Sequence, residues 1–262
     1  MIEALNEQAD VYLRANTLKT TAKELREVIA QEGIVADLLE KLPDTLKLAE
    51  RKNVFTAKAF RDGLFEVQDA ASQMVAPFLE VTSGMRVVDA CAGAGGKTLH
   101  LAALMRNKGT IIALDIHKWR LDELRRRATR NAADNIKVQV IDDPKVIKRL
   151  HDTADRVLLD VPCSGLGVIR RNPDTKWKLK SEELNRLRET QADLLRRYSR
   201  ITKVGGKLVY ATCSILPSEN EGQIRSFLSE NSAGWKLESE LSLRPDREGF
   251  DGFYAARLQR TK

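Results

Sequence analysis

One stretch, Arg86 to Thr98, reads Arg-Val-Val-Asp-Ala-Cys-Ala-Gly-Ala-Gly-Gly-Lys-Thr and restricts the fold more than any other part of the chain. β-Branched Val87 and Val88 follow the turn signal Ser83-Gly84 and suit a buried strand, while Leu99 to Met105 carries helix formers without a breaker. Between them, Gly93, Gly95 and Gly96 let the backbone pass close to a ligand, with the amides of a helix N-terminus aimed at it. Two well-known nucleotide cradles fail on spacing. A P-loop needs a glycine five positions before its Gly-Lys-Thr, where this chain has Cys91. A dinucleotide fingerprint needs a third glycine three places after its second, where this chain has Thr98.

A strand, an acid (Asp89), a shorter glycine turn and a helix remain, which is how class I methyltransferases hold S-adenosylmethionine. On the loop alone, that cradle and a purely structural turn stay equally open. From Gly84 onward, however, strand and helix alternate, the signature of an α/β, doubly wound, Rossmann-like sheet. Strands are expected at 86–90, 110–116, 137–142, 156–161 and 207–212. The second ends in Asp115, about twenty residues after the glycine turn, where a carboxylate would accept from ribose hydroxyls. The third ends at Asp142-Asp143, on the adenine side of the same crevice. A lone strand-end Asp is more often a helix cap, but three at one sheet edge reinforce one another.

Residues 1–66 carry shorter elements: a strand within 10–18, a helix from Thr21 to Gly33, and strands at 45–49 and 63–68. They are expected to form a small α+β subdomain, incomplete because so few strands make a poor independent sheet. Residues 67–262 hold the main domain, entered by a helix from Asp69 to Leu79. With 262 residues and a net charge of +7, the chain can bury a large core and favours a polyanionic partner, nucleic acid first. The cluster Arg125-Arg126-Arg127 with Arg130 fits a solvated helix face better than a nucleic-acid contact. No apolar run reaches the ~20 residues of a membrane span, and Met1-Ile2-Glu3-Ala4 lacks a signal-peptide pattern, so a cytoplasmic protein without a membrane partner is expected, as a monomer. Three separated cysteines argue against a disulfide framework, and neither they nor His100, His117 and His151 have metal-ligand spacing.

The most informative loop follows the fourth strand. Asp160-Val-Pro-Cys163-Ser-Gly leaves the strand end, and Arg170-Arg171-Asn-Pro-Asp-Thr-Lys176-Trp177-Lys178 comes shortly after. Arg170, Arg171, Lys176 and Lys178 would contact phosphates and Trp177 would stack, a pattern suited to single-stranded RNA; a core role for Trp177 is the alternative. A helix from Ser181 to about Thr202 leads to the fifth strand, which ends Tyr-Ala-Thr-Cys213-Ser. Neighbouring strands of this topology end side by side, so Cys163 and Cys213 should face one pocket. Sequence geometry does not choose between them as nucleophile. Pro217-Ser-Glu-Asn-Glu221 reads as a helix start with acids in its first turn.

Five linked motifs, the glycine turn from Asp89 to Thr98, Asp160 to Gly165, Val168 to Trp177, Tyr210 to Ser214 and Asp251-Gly-Phe-Tyr-Ala255, resemble the Sun/RsmB family of RNA cytosine-C5 methyltransferases, the likeness running from Gly63 to Arg260. Tyr12 to Leu18 is similar to that family's small RNA-binding subdomain. The departures are Gly93 and Ala94, where the family usually has alanine and proline, and a third strand without its usual glycine before the acid. The resemblance includes neither the extra N-terminal helical domain nor the C-terminal RNA-binding domain of some members, so either target selection is reduced or the chain is a fragment. It implies a class I methyltransferase fold, S-adenosylmethionine as cofactor and RNA, above all ribosomal RNA, as partner. The implied cofactor set is Cys91, Ala92, Gly93, Ala94, Gly95, Gly96, Lys97, Asp115, Arg120, Asp142 and Asp160. It also implies Cys213 as nucleophile, Cys163 as its helper and Asp160 holding the base. A tRNA or DNA cytosine methyltransferase, the latter with Cys163 attacking after its proline, and a non-catalytic RNA-binding protein that retains the pocket are the competing expectations.

Overall fold

A computed structural model describes residues 1–262, the side chain of Ile2 apart, and contains two sheets. The first is built from β1 (Tyr12–Ala15), β2 (Ala36–Leu39), β3 (Leu42–Leu48) and β4 (Phe65–Val67), antiparallel in the order β2-β3-β1-β4. The helix Ala22–Gln31 lays Leu25 and Ile29 onto it, beside Leu13, Leu46 and Phe65. Its start is set by a capping box: Thr21 Oγ1 accepts from Glu24 N, and Glu24 Oε2 accepts from Thr21 N. The expectation of too few strands is corrected here. In the short run Ala-Asp-Leu-Leu only Ala36 is fully buried, so alternation says little, and the segment becomes β2 through its pairing with β3.

The second sheet contains β5 (Arg86–Asp89), β6 (Thr110–Asp115), β7 (Ile136–Val140), β8 (Ala154–Asp160), β9 (Thr202–Thr212), β10 (Trp235–Leu243) and β11 (Phe253–Arg260). Their order is β10-β11-β9-β8-β5-β6-β7. The five expected strands are all present and mutually parallel, with ends shifted by a few residues. The antiparallel pair β10 and β11 was not anticipated. A bulge between Leu237 and Ser239 interrupts the pattern of β10, and Leu237 is left exposed, so the strand lacks a continuous apolar face.

Alternate residues feed opposite faces of this sheet. Val88, Val157, Leu159 and Tyr210 pack against Leu195, Ile224 and Phe227 on one side. Val87, Ile111, Leu158 and Val209 pack against Val75, Leu79, Leu99 and Leu124 on the other. Strand order reverses between β5 and β8, and parallel registers align Asp89 with Leu158 and Asp160 with Ala211. The carboxyl ends of β5, β8 and β9 therefore share one crevice, where open α/β sheets bind ligands.

Candidate active site

Lys97, one residue into the helix Gly96–Leu104, reaches across the crevice to Asp160, with Nζ 2.6 Å from Oδ2. Burial works against its charge, but the attraction of Asp160 prevails and holds Lys97 above the ordinary lysine value. Its ammonium also lies 5.1 Å from the Phe253 ring centre. Beyond the same strand ends, Cys163 Sγ and Cys213 Sγ are 3.2 Å apart, so the two thiols do face each other. Hydrogen bonding from Cys163 lowers the Cys213 thiol, with Lys97 assisting against the cost of burial. The Cys163 thiol is pushed up by that same bond and by burial. The two shifts run in opposite directions, which favours ionisation of Cys213 over ionisation of Cys163.

Tertiary contacts hold the glycine turn from both sides. Gly95 has φ of +89°, and a Cβ there would lie 2.5 Å from Leu124 Cγ, so only glycine fits. Asp115 accepts from Gly93 N at 2.9 Å and from His117 N at 2.8 Å, so it braces both the glycine turn and the turn that follows β6. The carbonyl of Ala94 accepts from Arg127 and that of Gly96 from buried Arg14, at 2.7 and 2.9 Å. Cys91, Ala92, Gly96, Lys97, Asp89 and Asp160, with Gln68 and Ser72, line a cavity of about 120 Å³. Asp142 lies exposed beyond β7, and Arg120 lies exposed with its guanidinium over the Trp119 ring.

Two of the proposed RNA contacts turn inward. The Arg170 side chain is 4% exposed and donates to Asp251 Oδ1 at 2.7 Å and to Gly249 O at 2.9 Å. Arg170 is therefore a brace for a fully buried carboxylate and not a phosphate contact, because Asp251 needs a cation beside it. Arg171 also binds Asp251, and it joins Asp69 and the Asp10 carbonyl, tying the first sheet's region to the loop. It stays partly open to a groove of about 680 Å³ lined by Cys163, Asn172, Thr175 and Lys178. Lys176 and Lys178 are exposed, the former reaching Asn6 Oδ1 and the latter Asp174. Trp177 is 87% exposed, so it is not a core anchor.

The arginine cluster divides in the same way. Arg125 and Arg126 are solvated and pair with Asp122 and Glu123, whereas Arg127 and Arg130 turn in to buried Glu66. Sequence reasoning missed Arg14, Glu66 and Gln68 because nothing local marks them. It quoted Asp251 only within a motif. Gly167 explains part of that motif: its N–H donates to Cys213 O and its carbonyl accepts from Gly252 N, an approach that leaves no room for a Cβ.

This mainly parallel sheet, in which β11 alone runs against the other strands, between β9 and the edge strand β10, and which carries a glycine turn and strand-end acids at its switch point, has the class I methyltransferase fold. The model for 16S rRNA methyltransferase RsmB/F matches residues 76–259, and a ferredoxin-like domain model of RsmF/B-like methyltransferases matches residues 1–55. The chain belongs to the RsmB/F family. It is 35% identical to a probable ribosomal RNA small subunit methyltransferase B of Synechocystis sp., covering 97% of this chain and 61% of that protein. Its identity to the Bacillus subtilis protein of that name is 37%, covering 88% of this chain and 51% of the relative. The chain thus spans about three-fifths or less of the length of these curated relatives. A methyltransferase homolog protein from Pyrococcus horikoshii superposes with a TM-score of 0.86 at 27% identity, covering 99% of this chain and 89% of the other. NSun6 from the same organism shares the fold with a TM-score of 0.90 at 22% identity, covering 100% and 93% of the two chains.

Proposed function

We propose that this chain transfers a methyl group from S-adenosylmethionine to C5 of a cytosine in RNA, with small-subunit ribosomal RNA as the substrate. The observation that carries this is the pair of thiols 3.2 Å apart beside the Lys97–Asp160 ion pair at the methyltransferase crevice. The crevice also suits the cofactor. Asp89 Oδ1 is buried at its wall with no hydrogen-bond partner among the described residues, a match for a cationic amino group. Asp89, the loop 91–97 and Asp115 would hold that cofactor, with Asp142 on its outer side; bound there, it supplies an electrophilic methyl group.

Cytosine C5 is a weak nucleophile, so the ring needs activation. The Cys213 thiolate adds to C6 and makes C5 electron-rich, while a proton passed from the Lys97–Asp160 pair to N3 neutralises the negative charge that develops on the ring and returns to the pair on elimination. After C5 is methylated, its proton leaves to a base, the C6–S bond breaks and Cys213 is regenerated as thiolate. Cys163, in contact with the departing sulfur, assists this release. Lys97 keeps the site positive and Asp160 in place. Trp177, Lys176, Lys178 and the open side of Arg171 would receive the RNA strand along the groove that ends at Cys163.

Denaturing electrophoresis with RNA and cofactor tests the assignment. Cys213→Ala should form no covalent adduct. Cys163→Ala should accumulate a slow band that survives boiling and disappears with RNase. The reverse pattern would give the nucleophile to Cys163, as in the DNA-type mechanism.

A further inference from the structure

Behind the two thiols lies a carboxylate that the chemistry above leaves unused. Glu219 is 0% exposed and directly precedes Asn220, the cap residue of the helix Glu221–Asn231. Its Oε1 accepts from the Ser164 backbone N–H and from Gln191 Nε2, both at 2.9 Å. Its Oε2 lies 2.5 Å from the hydroxyls of Ser164 and of Ser214. Those hydroxyls each accept a backbone N–H, from Leu166 and Leu216, so their own hydrogens are free to point at Glu219. Ser164 follows Cys163 and Ser214 follows Cys213.

One buried side chain thus ties together two loops fifty residues apart in sequence, each at the residue next to a thiol. Its surroundings hold it in turn. Gln191 also donates to Pro162 O at 3.0 Å, Tyr210 OH donates to the Glu219 carbonyl at 2.7 Å, and Asn220 Nδ2 donates to Ser214 O at 3.0 Å.

We propose that Glu219 is the positioning residue that holds the thiols of Cys163 and Cys213 at working distance and keeps their charge states unequal. The proposal rests on the reading of these two thiols as helper and nucleophile. The charges around them are asymmetric. Cys213 faces Lys97 and Asp160, whose charges oppose each other, whereas Cys163 faces Glu219 from behind. Across the groove Cys163 also meets Arg171 and Lys178, balanced by Asp174 and Glu183. A negative charge behind Cys163 adds to the Cys213 bond and burial in disfavouring a second thiolate there, against the Gly165 backbone N–H that favours one, so the proton of the pair stays on Cys163 and the anion on Cys213.

Phenylarsine oxide tests the geometry without RNA, because it condenses with two adjacent thiols, forming two As–S bonds and releasing water. The protein should bind one equivalent, and Cys163→Ala, lacking one thiol of the pair, sets the zero point. Glu219→Ala should weaken this chelation at least about tenfold with its fold intact by circular dichroism, since the serine donors lose their common acceptor. Glu219→Asp, one methylene shorter, should lose part of it and should lower kcat for RNA methylation more than it raises KM. Glu219→Gln retains an acceptor oxygen without the charge; it should chelate within about threefold of the parent but let iodoacetamide label Cys163 alongside Cys213 at neutral pH. Parent-like chelation by both the Ala and Asp variants would overturn the clamp, and unchanged labelling of the Gln variant would overturn the charge role. If chelation behaves as expected but no RNA is methylated, the functional reading fails and the placement of Glu219 stands.

Discussion

Cys91 and Cys213 leave the same edge of the same sheet, yet their surroundings oppose each other. Burial and the carboxylates of Asp89, Asp160 and Asp115 push the Cys91 thiol well above its ordinary value. Cys213 is comparably enclosed, but its hydrogen bond with Cys163 and the charge of Lys97 outweigh burial and Asp160, so its thiol is lowered. A strand end supplies access to a crevice. The sign of the charges facing the sulfur decides whether that access becomes reactivity.

The sharpest way to break this contrast is thiol labelling. At neutral pH iodoacetamide should modify Cys213 at least about a hundredfold faster than Cys91, as read by mass spectrometry, because only the thiolate reacts. Equal rates would remove the electrostatic distinction.

The Cys91 side of the edge is the cofactor side on this reading. Asp115→Ala should weaken S-adenosylmethionine binding by ~1–3 kcal/mol in calorimetric titration, through loss of an acceptor and of the brace on Gly93. Unchanged binding would detach Asp115 from the cofactor. A smaller effect is expected on the other side: Lys97→Met should slow Cys213 labelling about tenfold at neutral pH, moving its midpoint upward, while leaving Cys91 as it is.

The smallest effect concerns Asp89, which burial pushes up to about 7, with the Thr98 hydrogen bond opposing. The folded protein therefore retains a proton that the unfolded chain releases from about pH 4, so this group's stabilisation fades as pH rises from there towards 7. Asp89→Asn, which can still accept from Thr98, should match the parent near pH 4 and exceed it at pH 8 in urea unfolding, the gap opening between pH 4 and 7. A parallel pH dependence of the two proteins would show that Asp89 does not hold that proton.

The Arg170–Lys178 segment shows how charge in sequence and charge in space part company. As a string it is a run of cations around a tryptophan. In the fold, Arg170 sinks onto Asp251 and Arg171 binds Asp251 and Asp69, leaving Lys176 and Lys178, on either side of Trp177, as its exposed cations. Asp251 lies some eighty residues further along, so nothing near Arg170 in the sequence announces its partner.

The sequence by itself determined the elements whose signals are local. These are the strand, glycine turn and helix at 86–104, the alternation that makes a doubly wound sheet, and the strand-end positions of Asp160, Cys163 and Cys213. A turn, a cap or an apolar period is complete within a few residues, and so it can be read there. The tertiary structure alone decided which strands at 36–39 and 235–260 complete the sheets, which arginines are braces, that the two thiols meet, and that Glu219 stands behind both. Each of these depends on a partner brought close by folding, and the energy of a buried charge is set by that partner and by the water excluded around it.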